Sequence, residues 1–227
     1  MRFYTISNLL KKISDLDLES LLHFLQPFED IVAIDGPLNP EIILKAYNYG
    51  FFPWSNEGDP IIWYGPRQRP ILKEYNVSRD VKKLLKDPSL IFKRDVDFKQ
   101  TILNCKTTGG RSEIDGTWIT SKLEEVFIKL HQMNYAHSYE IWQEGNMIGG
   151  LYGLQKGQVF FGESMFSLKP SMSKLAHYYL IETMADHQIK VIDAQYLIPF
   201  TESLGYRNQT REDYFTLFNA HLDTKIF

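Results

Sequence analysis

A chain of 227 residues with 44% apolar side chains can bury a full core, and its formal charge of −3 argues against a general polyanion binder. No run approaches 18 uninterrupted apolar residues and no leader-like apolar core follows Met1-Arg2, so a membrane-spanning or secreted protein is not expected. The lone Cys105 excludes an intrachain disulfide, which fits a cytoplasmic home, and its apolar neighbours mark it as a buried hydrophobe and not a nucleophile.

Along the chain, Leu18 to Phe28 reads as a short helix closed by Pro27, and Ile31 to Ile34 as a strand ending in the turn Asp35-Gly36-Pro37. Asn39-Pro40 supplies a cap and a first-turn proline for a helix ending at Gly50. After Phe51-Phe52-Pro53-Trp54 and a polar loop, Ile61 to Tyr64 reads as extended. These elements suggest a small N-terminal α/β domain or lid over residues 1–66, with residues 67–227 forming the larger domain. There, a strand near Pro70 to Tyr75 precedes a basic helix capped by Ser78, a strand at Leu90 to Arg94 and a helix led by Asp97. A polar loop covers Lys106 to Gly116, and Ser121 opens a helix through Leu130. Ala136 to Gln143, Met147 to Gln155 and Gln158 to Glu163 read as strands joined by turns at Gly145 and Gly157. Ser173 to Asp186 is helical, Lys190 to Ala194 a strand, and a final helix or strand lies near Asp213 to Leu222. The pattern is α+β, a layered mixed sheet and neither a barrel nor a Rossmann unit.

Two acids break strands that otherwise look buried: Glu163 after Val159-Phe160-Phe161, and Asp193 after Val191-Ile192. A buried carboxylate costs several kcal/mol unless paired, so both mark a site. Gln195 is two residues from Asp193; on a strand the two side chains share a face. Taken alone, Glu163 also fits an ion pair with Lys174, Asp193 a turn cap and Gln195 a surface position. Between Arg67 and Lys106 eleven basic residues face five acids. Within that stretch Lys73, Arg79, Lys82, Lys83 and Lys86 are candidate phosphate contacts, with a plain solvated helix face as the alternative. The histidines have no metal-ligand spacing, and no nucleophile elbow occurs. His137 reads as a structural hydrogen-bonder, and the Thr108-Gly109-Gly110-Arg111 loop as mobile.

The motifs Ala46-Tyr47, Gly50-Phe51-Phe52-Pro53-Trp54, Arg69, Gly116-Thr117-Trp118-Ile119 and Ala136-His137-Ser138-Tyr139-Glu140 run in order. Gly149-Gly150-Leu151-Tyr152-Gly153, Phe161-Gly162-Glu163-Ser164-Met165-Phe166-Ser167, Ser173-Lys174, Ile192-Asp193-Ala194-Gln195 and Arg211 follow. Over roughly residues 29–215 this series resembles the leucyl/phenylalanyl-tRNA–protein transferases. The resemblance implies an N-acetyltransferase-like (acyl-CoA N-acyltransferase) fold and transfer of an aminoacyl group, here Leu, Phe or Met, from charged tRNA to a protein's N-terminal α-amine. Acceptors beginning with Arg or Lys are thereby marked for degradation. It implies no cofactor, metal, membrane or DNA partner.

The same resemblance assigns catalysis to Asp193, Gln195 and Glu163, terminal-adenosine stacking to Trp54 and Trp118, and the aminoacyl pocket to Phe160, Gly162, Met165 and Ile192. Arg69, Ser173, Lys174 and Arg211 are further motif positions. An α-amine with a pKa of about 7.7–8 must lose a proton to attack the ester, which needs a base or relay nearby. Asp193→Ala is expected to reduce transfer greatly while leaving the protein folded. Trp54 and Trp118 lie in Pro- or Gly-flanked segments and suit stacking, with core packing as the rival. The chain departs from the family pattern at Trp63-Tyr64-Gly65, Leu168, Ser171-Met172, Ile198, Phe200 and Gln209-Thr210. Should His177 or Glu182 face the pocket, a polar or cationic aminoacyl group would be favoured, so arginyl transfer or acidic acceptors form an alternative. A non-catalytic module that binds tRNA ends or protein N termini is another. A small-molecule acetyltransferase is disfavoured, because Ser167-Leu168-Lys169-Pro170-Ser171 is a poor pyrophosphate loop.

Overall fold

Three long antiparallel strands form the centre of the protein in a computed structural model that describes residues 4–108 and 117–222. They are β6 (Ala136–Gln143), β7 (Asn146–Lys156) and β8 (Val159–Ser167), joined at Gly145 and Gly157, whose φ values of 79° and 57° suit tight hairpins. Hydrogen-bonded pairing extends this centre to seven strands in the order β10-β4-β9-β8-β7-β6-β5. Here β4 is Gln68–Leu72, β5 is Leu90–Arg94, β9 is Val191–Asp193 and β10 is Tyr206–Thr210. β8 and β9 run parallel through a crossover helix, α7 (Met172–Glu182), and the other pairs are antiparallel, so the sheet is mixed as expected.

Alternation along the strands sends side chains into two apolar layers. Leu151, Phe160 and Ile192 pack with Leu175 and Leu180 of α7. Tyr152, Leu154 and Phe161 pack on the opposite face with α5 (Phe98–Thr107) and α6 (Ser121–Gln132). Gly149 lets α7 approach: a Cβ there would stand 2.2 Å from Met172 Cβ. α4 (Arg79–Leu84) in turn lies against α7. Caps are as read: Asn39, Ser78 and Asp97 each accept a backbone N–H, and α6 opens at Ser121 as expected, with Thr120 as its cap.

The N-terminal layer comprises α1 (Ile6–Ile13), α2 (Leu18–Leu25), α3 (Pro40–Tyr47) and a three-stranded sheet in the order β1-β3-β2, with β1 Ile31–Ile34, β2 Phe52–Trp54 and β3 Ile62–Tyr64. One apolar cluster runs from Ile6 and Leu9 through Tyr47 and Trp63 to Phe161 and Tyr214, so this layer shares its core with the large sheet. Arg211, at the start of α9 (Arg211–Asn219), ties them further by donating to the carbonyls of Leu25, Glu29 and Gly65. That makes Arg211 a clamp between the layers.

Several elements escape the sequence reading: α1, β2, α8 (Pro199–Leu204) and β10. α2 stops at Leu25, before Pro27, and α7 stops at Glu182, four residues short of the expected end. The last element is the helix of the two options. Gly109-Gly110-Arg111 and Gly116 lie outside the described residues. Among those described, no helix is long and apolar enough to cross a membrane.

Candidate active site

Glu163 lies within β8 and not at its end, because β8 continues to Ser167. Gly153 pairs with Gly162 and the adjacent Tyr152 with Ser164, so Glu163 is the extra residue of a β-bulge. A bulge re-aims the side chain it carries, and this one turns a carboxylate into a cavity of about 670 Å³. Tyr47 Oη, at the end of α3, donates to Glu163 Oε1 at 2.7 Å, and Gln195 Nε2 donates to the same oxygen at 2.9 Å. Neither bond uses Oε2. Burial lifts the Glu163 pKa to about 7, against the pull of the two hydrogen bonds. The carboxyl therefore exchanges its proton in the range where an α-amine does. Lys174 is not its partner; that ammonium sits 5.9 Å from the Phe200 ring.

Asp193 and Gln195 do not share a strand face. β9 ends at Asp193, and Gln195 has φ 62°, in the left-handed region. Its backbone N–H donates to Asp193 Oδ1 at 2.8 Å, which holds this turn and points the amide toward Glu163. Asp193 is fully buried and off the cavity wall. Its Oδ2 takes Arg69 Nη2 at 2.5 Å and the Tyr214 hydroxyl at 2.9 Å, and Arg69 Nε reaches Oδ1 at 3.3 Å. Arg69 also donates to the Gly50 carbonyl and lies over the Phe52 and Tyr214 rings. Every Asp193 oxygen is thus engaged by the protein, and alanine at this position would leave the Arg69 guanidinium buried without its counter-ion.

The other expected residues divide clearly. Trp54, 40% exposed, and half-buried Trp118 meet at 5.6 Å between ring centroids on the cavity wall, with Tyr196 beside Trp54. Trp54 closes strand β2, not an irregular segment. Phe160, Gly162, Met165 and Ile192 all line the cavity, and Ser173 reaches it from the first turn of α7. A Cβ on Gly162 would touch only the Asp193 carbonyl, at 3.7 Å, so the glycine leaves open space. Lys73, Arg79, Lys82, Lys83 and Lys86 are exposed, the last four on or just after α4, behind α7. His137 is the structural hydrogen-bonder expected, its Nδ1 2.8 Å from Asp95 Oδ2. Glu182 is exposed and off the cavity, whereas His177 lines it. Ile198 and Phe200, two of the altered positions, also line it.

Tyr47 and Tyr214 carry no site signal of their own in the sequence, although Tyr47 belongs to the Ala46-Tyr47 motif. Their partners lie 116 and 21 residues away, beyond any local pattern. The bulge left one trace in sequence, a glycine on each strand, at 153 and 162. The cavity combines an apolar end, an aromatic pair and a carboxylate–amide pair, a set suited to acyl transfer between a nucleoside-linked ester and an amine.

Comparisons with known proteins agree. The family model described as leucyl/phenylalanyl-tRNA protein transferase matches residues 71–219, and that of its N-terminal domain residues 36–67. The leucyl/phenylalanyl-tRNA–protein transferase of Stutzerimonas stutzeri (strain A1501) is 38% identical, covering 93% of this chain and 94% of its own. That of Legionella pneumophila (strain Corby) is 40% identical, over 86% of this chain and 87% of its own. Among solved structures, FemX superposes with a TM-score of 0.53 at 11% identity, covering 86% of this chain and 75% of FemX. This last likeness concerns the fold alone.

Proposed function

The chain belongs to the leucyl/phenylalanyl-tRNA–protein transferase family, and we propose that its cavity moves a leucyl, phenylalanyl or methionyl group from charged tRNA to the N-terminal amine of an acceptor protein. The observation that carries this reading is the Glu163–Gln195 pair on the wall of a cavity that also holds two tryptophans and an apolar end. The terminal adenine stacks at Trp54 and Trp118. The aminoacyl side chain enters between Phe160, Met165 and Ile192, over the space left by Gly162.

The acceptor amine attacks the ester carbonyl carbon. One N–H of Gln195 Nε2 is held by Glu163, which orients the amide, and its Oε1 accepts from the incoming N–H. Glu163, titrating near 7, takes the amine proton through its unengaged Oε2. As the C–N bond forms the C–O3′ bond breaks, and the ribose oxygen leaves with that proton. Asp193 is a positioning residue here: through Arg69, Tyr214 and the Gln195 N–H it holds the turn that presents the amide. Glu163 is also the acid available to an acceptor beginning with Arg or Lys. Phosphates of the tRNA backbone run along Arg79, Lys82, Lys83 and Lys86, with Lys73 beyond. A charged-tRNA donor supports action in the cytoplasm, in N-terminal-residue-dependent degradation.

The test is incorporation of labelled amino acids from a mixed charged-tRNA pool into peptides differing in their first residue. Leu, Phe or Met should enter peptides that begin with Arg or Lys. Binding of charged tRNA without transfer from any donor would leave a non-catalytic binding module instead.

A further inference from the structure

Attack of an amine turns an ester carbonyl into a tetrahedral centre whose oxygen carries negative charge, and hydrogen-bond donors already in place stabilise such an oxygen. Glu163 Oε2, as the base, and Gln195 Oε1 are both acceptors, so they serve the nucleophile and not this oxygen. The chemistry also calls for a donor beside them.

The bulge in β8 supplies one. Glu163 and Ser164 together stand opposite Tyr152, and both line the cavity. Ser164 is half-buried, and its hydroxyl makes no hydrogen bond with another described residue. The Tyr152 hydroxyl across the ladder is also unpartnered, but that oxygen is sealed from solvent, whereas the Ser164 oxygen is not. Other hydroxyls on the cavity wall are occupied or remote. That of Tyr206 is bonded to His177, that of Thr201 donates to the Ile198 carbonyl, and that of Tyr196 faces Asp30 at 3.4 Å. Ser173 stands where its N–H donates to Ser167 Oγ, three residues and about 10 Å farther along β8.

Resting on the transfer reading above, we propose that Ser164 is a further catalytic residue, whose Oγ–H donates to the ester carbonyl oxygen as it becomes an oxyanion. The amine nitrogen forms the C–N bond, the carbonyl π pair moves onto that oxygen, and the hydroxyl proton stays on Ser164 throughout. When the pair returns, the C–O3′ bond breaks, and the ribose oxygen leaves with the proton that Glu163 took from the amine.

Two adenosine conjugates separate this role from plain binding: a 3′-leucylamide, with a planar carbonyl, and the corresponding 3′-phosphonate ester, whose tetrahedral phosphorus carries the charged oxygen. Titration calorimetry gives the ratio of their Kd values for wild type and Ser164→Ala, with melting curves to show that both proteins fold. Ser164→Ala should shift the ratio against the phosphonate by about tenfold or more, with the leucylamide Kd unchanged within about twofold. In transfer assays its kcat should fall by about 10²-fold, the size of effect one oxyanion donor has, with KM for charged tRNA held. A phosphonate-to-amide ratio in Ser164→Ala within about twofold of wild type would overturn the role of Ser164 and leave the adenosine and aminoacyl sites standing. Failure of wild type to bind either conjugate would remove the reading of the cavity itself, and this inference with it.

Discussion

Replacing Asp193 by alanine should destabilise the fold before it says anything about chemistry. The carboxylate is fully buried and pairs with Arg69, which is itself only 2% exposed. Removing it leaves a guanidinium in the core without its counter-ion, and deprives the Tyr214 hydroxyl and the Gln195 N–H of an acceptor. Breaking a buried ion pair from one side costs about 3–5 kcal/mol, a large share of the roughly 5–15 kcal/mol by which a folded domain is stable. For a chain of this size that corresponds to a fall in melting temperature of about 6–20 °C. Circular-dichroism melts and urea titrations measure it, with transfer assayed well below the lowered midpoint. The double variant Arg69→Met with Asp193→Leu removes both charges and should recover most of the loss. Asp193→Ala melting within about 3 °C of wild type, with transfer abolished, would refute the positioning role and return Asp193 to direct chemistry.

Glu163 has its folded-state pKa raised to about 7 from an unfolded value near 4.5, so the proton it holds stabilises the fold below about pH 4.5, and that contribution is lost as pH rises through 7. Glu163→Gln should therefore be more stable than wild type at pH 8, by up to about 3 kcal/mol before discounting the carboxyl's opening onto the cavity, and equal to it near pH 4.5. In transfer assays the same variant should lose the limb of the pH profile centred near 7; an unchanged profile speaks against Glu163 as proton acceptor. Gly162→Ala should leave stability within about 0.5 kcal/mol, since the added methyl faces open space, yet depress phenylalanyl more than leucyl transfer. Trp118→Ala should weaken binding of an aminoacyl-adenosine by about 1–3 kcal/mol, and retained affinity would return this tryptophan to a packing role. Alanine at Lys82, Lys83 and Lys86 together should lower the slope of log affinity for tRNA against log salt by about 2–3; an unchanged slope would place the RNA elsewhere.

The signal that singled out the site in sequence, an acid interrupting a buried strand, is less selective than it looks. Glu140 gives the same signal on β6 and is fully buried, yet its carboxylate is consumed by the N–H groups of Val96 and Asp97, the Ser138 hydroxyl and the Trp142 indole. Asp193 is likewise consumed by the protein. Of these three acids, Glu163 is the one that faces the cavity, and nothing local distinguishes it.

What the sequence determined by itself is what short-range physics controls. Caps at Asn39, Ser78 and Asp97, the turns at Gly145 and Gly157, and the alternation of β6 to β8 depend on interactions within a few residues, so they are visible in order along the chain. The resemblance in motif order added the family, the cavity-lining residues and the aromatic pair. Tertiary structure decided the rest. β10 has a polar, largely exposed run with no alternation, and it is a strand because β4 offers it a backbone to pair with from Tyr206 to Thr210. The bulge that turns Glu163 inward exists only in the register of β7 against β8. Gln195 leaves strand geometry because Asp193 accepts its N–H, and Asp193 is fixed by an arginine 124 residues away. A carboxylate's role depends on which donors reach it through space, and that distance is set by packing and not by position in the chain.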